Sequence, residues 1–401
     1  MEVRNINYFK YWGKAREEGV PYHLLPFHCL DVATVADVWW EGSPSIQRSF
    51  TEASALSAQK TKAWLLFFVA LHDYGKLDMR FQLKAPRAVA SVYPAFDREL
   101  TDIDGIAIKD YFHGPVGFSL FYHDFYSLFA GQDEHNQTVW DAWQPWLAAV
   151  TGHHGVTPDQ PDASPQLDEL QADISIIEHD KSARMEWVLA LQALFLEPAG
   201  LSIDVAPPPY SPLLAGFCSV ADWLGSNSAA SAFEYRSDEM ALDRYYQHSL
   251  ITARQQLDQS GLLSRKRRYQ GVSALLPEVD NAVPRQLQTL VDQLPLERGL
   301  TLIEAPTGSG KTETALAYAW RLLAAGLADS IIFALPTQAT ANAMLKRLES
   351  CASLLFDDQP NLVLAHGKAS FNEDFWQLKN SYQQRTEQGK EEARVQCAEW
   401  L

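Results

Sequence analysis

The stretch that decides the fold of the first part of the chain is LFFVALHDYGK, residues 66–76. Its apolar half has the spacing of a buried helix, and this helix runs straight into adjacent His72 and Asp73, with Gly75 and Lys76 just behind. An imidazole and a carboxylate at the end of a buried helix are costly to keep there without a partner, and a metal ion is the usual partner. The stretch therefore predicts a helical domain built around a metal site.

Further candidate metal ligands lie before and after this stretch. They are His28, His113, His153, His154 and Asp222. Consecutive residues of a helix point about 100° apart, so we expect Asp73 to bridge two ions while His72 serves one of them. The first ion would be completed by Asp222, with His28 as a further ligand. The second would be held by His113, His153 and His154.

This set of ligands predicts a centre that cleaves phosphate esters. Histidine-rich ligation with two carboxylates suits iron, manganese, cobalt or nickel better than calcium. Two such ions activate a water and stabilise the entering and leaving oxygens of a scissile phosphate. Lys76 would add a fixed positive charge beside the non-bridging oxygens, so Asp73 and Lys76 are the expected catalytic residues. Each signal alone also fits a packed or surface side chain, and the remaining histidines are expected to be ordinary.

Composition and charge limit the class of protein. With 401 residues, 47% hydrophobic and 21% charged, the chain has room for two or three folded domains. Its four cysteines form no CxxC pair, and no signal peptide or membrane-spanning run is present, so we expect a cytoplasmic protein with reduced thiols. The net charge of −17 argues against indiscriminate DNA binding. It is compatible with DNA binding through one defined groove.

The pattern changes near residue 262. Residues 1–262 read as mainly helical, and residues 263–284, which include the basic cluster SRKRRYQ, read as a linker. Residues 285–401 alternate strand and helix patterns: GLTLIEA, ETALAYAWRLLAAG, SIIFALP, TQATANAMLKRLES and NLVLAHG. Such alternation predicts a parallel α/β sheet, here an incomplete one.

The stretch APTGSGKT, residues 305–312, has the strand–loop–helix setting of a phosphate-binding loop. The expected nucleotide-binding residues are Gly308, Ser309, Gly310, Lys311 and Thr312, with Gln288 as a candidate for contact with adenine. ATP and magnesium are the expected ligands. Ala305 stands where the usual motif has its first glycine.

The order H…HD-x-G-K…H…HH…D resembles the HD-family phosphohydrolases. The details HCLDVA, LHDYGK, TGHHG and CSVADWLGS are similar to the nuclease domain of the CRISPR-associated helicase-nuclease of type I systems, of the I-E subtype, and A-x-T-G-x-G-K-T resembles superfamily 2 helicases. The resemblance implies a mainly α HD-type nuclease domain followed by a partial α/β RecA-like domain. It also implies two metal ions held by His28, His72, Asp73, His113, His153, His154 and Asp222, with Lys76 as the catalytic lysine.

By this resemblance the chain is a monomeric, metal-dependent endo/exonuclease that cleaves single-stranded DNA in CRISPR interference. It would be attached to the start of an ATP-dependent helicase that a guide-RNA effector complex recruits. No DExH carboxylate pair or second RecA-like half follows the phosphate-binding loop, so we expect a truncated chain that neither hydrolyses ATP efficiently nor translocates.

Two other functions stay open at this point. One is a nucleotide phosphohydrolase or cyclic-dinucleotide phosphodiesterase of the same metal superfamily, which turnover of mononucleotides against single-stranded DNA would distinguish. The other is a non-catalytic module that docks on an effector complex, which would purify without stoichiometric metal.

Overall fold

The structure of the chain is a computed structural model that describes most of the sequence. The described residues are 6–16, 22–85, 87–88, 111–128, 133–159, 161, 174–227, 233–263, 265–276, 283–357 and 362–364. They fall into two compact units. The first comprises the described residues of Met1–Trp40, Ser49–Ser228 and Ala232–Gln255, and the second those of Glu41–Arg48 and Gln256–Leu401.

The described chain up to residue 260 is helical apart from one hairpin. The hairpin pairs β1 (Trp12–Ala15) with the antiparallel β2 (Tyr22–Leu24). The helices are α1 (Leu25–Gly42), α2 (Pro44–Ser54), α3 (Ala58–Val69), α4 (Met79–Gln82), α5 (His113–Leu128), α6 (Asp133–Thr151), α7 (Ile174–Leu191), α8 (Leu214–Gly225) and α9 (Leu242–Ser260). Short 3-10 helices cover Asn7–Lys10, Tyr74–Lys76 and Glu197–Ala199, and a π-helix covers Gln192–Leu196.

The helix α3 forms the centre of the first unit. Ser57 caps its N-terminus by accepting a hydrogen bond from the Lys60 amide, and the side chains from Ala63 to Val69 are buried on every face. Phe68 stacks on Trp146 of α6 with ring centroids 4.8 Å apart. This packing fixes the end of α3, where the His72–Asp73 step begins. No described helix is long and apolar enough to cross a membrane.

The second unit contains three complete α-helices among its described residues. They are α10 (Gln286–Thr289), α11 (Lys311–Ala324) and α12 (Gln338–Leu355), with 3-10 helices at Val272–Leu275 and Leu290–Gln293. Its core packs Val291, Leu316 and Leu355 around the fully buried Trp320. The indole N–H of Trp320 donates to the Arg267 carbonyl at 3.0 Å, which ties the chain before α10 to this core.

The individual strands expected in this second part are not formed among the described residues. Residues 300–305 and 330–335 pair with no described strand, and of NLVLAHG only residues 362–364 are described. Leu300 and Ile332 are 98% and 90% exposed, whereas a strand of a parallel sheet is buried on both faces. A strand of this kind takes its hydrogen bonds and its burial from neighbouring strands, and no described segment supplies them. The loop at residues 305–310 nevertheless leads directly into α11, as the sequence predicts.

The described cysteines are free thiols. Cys29 and Cys218 are buried, Cys351 is partly buried, and Cys397 lies outside the described residues.

Candidate metal centre

The His72–Asp73 step was expected at the end of the apolar helix, and it lies just beyond that end. The helix α3 ends at Val69, and the following residues form short-range turns. The His72 amide donates to the Val69 carbonyl at 3.1 Å, and the Lys76 amide donates to the Asp73 carbonyl at 2.8 Å. Such bonds tighten the end of a helix. Lys76 therefore reaches the site from a 3-10 turn at Tyr74–Lys76 and not from a continuing helix.

One carboxylate oxygen of Asp73 faces two imidazoles and an ammonium group. Its Oδ2 is 3.0 Å from His28 Nε2, 3.3 Å from His72 Nε2 and 2.6 Å from Lys76 Nζ. His28 comes from the first turn of α1, far away in sequence. All four side chains are buried.

The other oxygen of Asp73 faces a second group of histidines. Its Oδ1 is 3.2 Å from His113 Nε2 and 3.9 Å from His153 Nε2. His113 begins α5, and His153 follows the end of α6. The exposed His154 joins this group, with its Nε2 3.0 Å from His113 Nε2. Asp73 thus lies between the two groups.

Asp222 approaches the same point from α8. Its Oδ1 is 3.7 Å from Nε2 of both His28 and His72, and its Oδ2 is 3.9 Å from His153 Nε2. Gly225, one turn later, makes this approach possible, because a Cβ there would lie 3.0 Å from the Cα of Val32 on α1. The close crossing of α8 and α1 brings Asp222 and His28 to one site.

Backbone carbonyls orient two of the imidazoles. The Nδ1 atoms of His72 and His153 lie 2.9 Å and 2.8 Å from the carbonyls of Val69 and Val150. A carbonyl only accepts, so each Nδ1 carries the proton and each Nε2 presents a lone pair towards the carboxylates. This is the tautomer that a metal ligand requires.

All seven predicted metal ligands come together in the first unit. Their donor atoms form three groups with spacings within 4.8 Å: His28, His72 and Asp73; His72, His153 and Asp222; and His113, His153 and His154. The buried atoms without a hydrogen bond among the described residues include both ring nitrogens of His28 and Nε2 of His72, while the oxygens of Asp73 have the ion-pair contacts given above. Buried imidazole nitrogens in this state need a partner, and a cation fits this donor set.

At most of these positions the surroundings favour the protonation state that a metal requires, which is an ionised carboxylate or a neutral imidazole. Burial raises the pKa of Asp73, but Lys76 and His72 outweigh it and hold that pKa well below its ordinary value. Burial lowers the pKa of His28 well below its ordinary value and lowers that of His153 to about 3. His72 differs, because Asp73 and Asp222 overcome the effect of burial and raise its pKa.

Sequence reasoning missed the residues that hold the loop after Asp73. Arg184 of α7 donates from Nε to Asp124 at 2.5 Å and from Nη1 to the Leu77 carbonyl at 3.1 Å. Asp124 also accepts the hydroxyl proton of Tyr74 at 2.8 Å. One helical turn before Arg184, Asp180 accepts from the Met79 amide at 2.8 Å. The signal available in the sequence was the helical spacing of the charged residues Asp180 and Arg184. No local motif in α7 marks these two residues as buried.

His23 is also more than the ordinary histidine expected from the sequence. Its Nδ1 accepts from the Arg236 amide at 2.9 Å, and its Nε2 lies 2.9 Å from the buried Asp31 carboxylate. Asp31 further accepts from the hydroxyls of Tyr245 and Ser249 of α9. This network ties the hairpin to α9, and nothing local in the sequence indicates it.

The phosphate-binding loop leads directly into α11. Gly308 and Gly310 have φ angles of 81° and 90°, which favour glycine. The ammonium group of Lys311 donates to the Ala305 carbonyl at 2.6 Å and so folds back over the loop. Gln288 lies against the loop, since a Cβ at Gly310 would be 2.3 Å from its Nε2. Ser309 lies in the loop, and Thr312 lies in the first turn of α11.

Comparison with known proteins finds relatives of both parts of the chain. Residues 12–231 match the family model described as Cas3, HD domain, and residues 244–392 match the type III restriction enzyme, res subunit. The chain is 49% identical to the CRISPR-associated endonuclease/helicase Cas3 of Escherichia coli K12, over 98% of this chain and 45% of that protein. It is 29% identical to the Thermus thermophilus protein of the same name, over 97% of this chain and 41% of that protein. The chain therefore spans less than half the length of these relatives.

Solved structures share the fold. The crystal structure of T. fusca Cas3 aligns with a TM-score of 0.67 at 24% identity, over 91% of this chain and 40% of that one. A chain of a CRISPR RNA-guided surveillance complex, pre-nicking, aligns with a TM-score of 0.55 at 25% identity, over 86% and 38%. The family model covers more than half of the sequence and contains all seven clustered side chains. The chain belongs to the Cas3 HD-domain family.

Proposed function

We propose that the chain cleaves single-stranded DNA at a centre of two divalent metal ions, as the nuclease part of a CRISPR-associated nuclease-helicase. The observation that carries this proposal is the convergence of four imidazoles on Asp73, with Asp222 and His154 beside them. Four histidines around a buried carboxylate have no structural use that a hydrophobic core would not serve better.

The donor atoms divide naturally between two ions. His28, His72 and Asp222 would hold one, His113, His153 and His154 would hold the other, and Asp73 would bridge them. Bound there, iron, manganese, cobalt or nickel would supply an activated water and charge stabilisation on both sides of a scissile phosphate. We assign Asp73 and Lys76 as catalytic residues. The Lys76 ammonium lies 2.6 Å from Asp73 Oδ2 and 3.3 Å from the Gly13 carbonyl. These two contacts would hold the ammonium group beside the scissile phosphate.

The phosphate-binding loop supports a second ligand, ATP with magnesium. The backbone amides of Gly308, Ser309 and Gly310 would bind the phosphates, Lys311 the terminal phosphates and Thr312 the magnesium ion. Gln288 is our candidate for the adenine, because it lies against this loop. The inability of these 401 residues to translocate stays a prediction, as do the domain boundaries at 262 and 285.

Single-stranded DNA and a guide-RNA effector complex are the partners we propose. A net charge of −17 disfavours wrapping by a duplex, whereas one strand can enter a narrow cationic path. The similarity to a chain of a surveillance complex supports recruitment by such an assembly. We place the protein in the cytoplasm as a monomer.

The test is cleavage of circular single-stranded DNA after anaerobic reconstitution with each candidate metal. We expect close to two ions per chain and metal-dependent cleavage. Asp73→Ala should reduce cleavage by at least about 100-fold, because it removes the bridging ligand and metal affinity with it. Asp204→Ala, which removes an exposed carboxylate of the same unit, is the matched control and should behave like the unchanged protein.

Two outcomes would overturn the proposal. Full cleavage by the Asp73→Ala protein would remove the metal centre from the chemistry. Faster turnover of mononucleotides or cyclic dinucleotides than of DNA would instead indicate a small-molecule phosphohydrolase.

A further inference from the structure

The hairpin beside the metal centre contains a β-bulge. Trp12 pairs with Leu24 and Lys14 pairs with His23, so two steps along β1 match one step along β2. Gly13 is therefore the extra residue. A bulge of this kind turns the side chains that follow it, and bulges are common next to active sites.

The bulge lies directly against the candidate metal centre. A Cβ at Gly13 would be 2.8 Å from the Cβ of His28, so the strand backbone touches a proposed ligand. The Gly13 carbonyl accepts from the Lys76 ammonium at 3.3 Å. The next side chain along the strand, Lys14, is thus presented at the edge of the same site.

Lys14 is a half-buried cation close to the candidate metal centre. Its ammonium group makes no hydrogen bond or ion pair with any residue that the structure describes, although it feels the charges of Asp73, Asp222 and Lys76. Burial, and next the positive charge of Lys76, lower the pKa of Lys14. Two lysines in one site repel each other unless an anion lies between them.

We propose that Lys14 binds a non-bridging phosphate oxygen of the DNA strand and, with Lys76, holds the backbone across the metal centre. This inference rests on the proposed function and adds a substrate-binding residue to it. A phosphodiester carries one negative charge in a compact group, and two ammonium groups can each bind one of its two non-bridging oxygens. The carboxylates of Asp73 and Asp222 attract Lys14, but their oxygens contact the imidazoles and, for Asp73, Lys76.

The experiment measures binding of a fluorescent single-stranded oligonucleotide to the full chain over a range of salt concentrations, and separately KM for DNA cleavage. The variants are Lys14→Met, which keeps the aliphatic stem without the charge, and Lys14→Arg, which restores a charge. Loss of one phosphate contact on a single strand lowers the slope of log K against log salt by about 0.7. We expect this change and about 10-fold weaker binding for Lys14→Met, with unchanged metal content, and recovery in Lys14→Arg.

Lys10→Ala is the matched control, because it removes a positive charge from the same terminal segment where Lys10 lies 3.7 Å from Glu239. The inference fails if Lys14→Met binds with the affinity and salt slope of the unchanged chain, or if Lys10→Ala shows the same loss. It also fails if the loss follows a lower metal content or melting temperature. Absence of cleavage in the unchanged chain would reject the proposed nuclease, while the salt slope would still decide the role of Lys14.

Discussion

At the residue scale, Gly75 sets how closely the loop with Asp73 can approach α5. A Cβ at Gly75 would lie 2.0 Å from the carbonyl oxygen of His113 and 2.8 Å from the amide nitrogen of Gly117. Both of these atoms belong to the backbone, which cannot rotate away as a side chain can. The distance between Asp73 and His113 therefore depends on the absence of a side chain at residue 75.

Gly75→Ala should push α5 away from the loop. We expect a loss of about 1–3 kcal/mol in the free energy of unfolding, the usual cost of overpacking, together with weaker binding of the ion near His113. Denaturant titration and metal analysis of the purified variant measure the two effects.

Gly216→Ala is the matched control for this substitution. Gly216 lies on the exposed side of α8, where an added Cβ meets nothing within 4 Å, and alanine is the better helix former. We expect this variant to be as stable as the unchanged chain or slightly more stable. Equal stability and metal content of both variants would contradict the close-packing argument.

The proposed ligands could be singled out in the sequence where they have a local mark. His72 and Asp73 follow an apolar helix, His153 and His154 are adjacent, and glycines lie close by. Lys14, Asp124 and Arg184 have no such mark, since their roles depend on contacts with residues far away in sequence. The burial and the contacts of these three residues can be recognised only once the packing of the helices and the hairpin is known.

At the scale of elements, α7 supports the loop that follows Asp73. Arg184 and Asp124 form a buried ion pair that also holds the Leu77 carbonyl and the Tyr74 hydroxyl. Arg184→Ala would leave Asp124 as an unpaired charge in the core. We expect a loss of about 3–5 kcal/mol in the free energy of unfolding, measured in guanidinium chloride.

An exposed pair of similar length provides the comparison. Arg267 Nε lies 2.8 Å from Asp357 Oδ1, with both side chains largely exposed, so Arg267→Ala should cost about 0.2–1 kcal/mol. Similar losses for the two substitutions would show that the Arg184 pair is not buried as described.

Helices and strands differed in how well the sequence predicted them. Helices such as α3 and α11 were visible because their apolar spacing and their starting residues are local. The strands of the second unit depend on neighbours for hydrogen bonds and burial, so their pattern alone does not determine whether they pair. The one-residue bulge at Gly13 in the hairpin left no trace in the sequence pattern either.

At the scale of the whole molecule, one buried acid makes stability depend on pH. Burial and the nearby Asp78 raise the pKa of Asp180 to about 7, whereas an unfolded aspartate titrates near 3.9. The folded chain therefore holds a proton that the unfolded chain has lost between these two values. Its contribution to stability is complete below about pH 4 and disappears as the pH rises through about 7.

Comparison with Asp180→Asn isolates this contribution from the other carboxylates. The free energy of unfolding of the unchanged chain, minus that of Asp180→Asn, should fall by on the order of 2–4 kcal/mol between pH 4 and pH 7.5. Urea titrations at several pH values give both quantities. A difference that does not change with pH would mean that Asp180 is ionised throughout this range.

The perpendicular indoles of Trp64 and Trp143, with ring centroids 5.9 Å apart at 89°, have an optical consequence. Rigid aromatic pairs couple their electronic transitions and produce strong near-ultraviolet circular dichroism, which vanishes when side-chain packing loosens even if helices persist. Among the described residues of the second unit, Trp320 is the lone indole, and the ring that it meets edge-on is that of Tyr269, with centroids 5.2 Å apart. Near-ultraviolet dichroism will accordingly report mainly on the aromatic interior around α3.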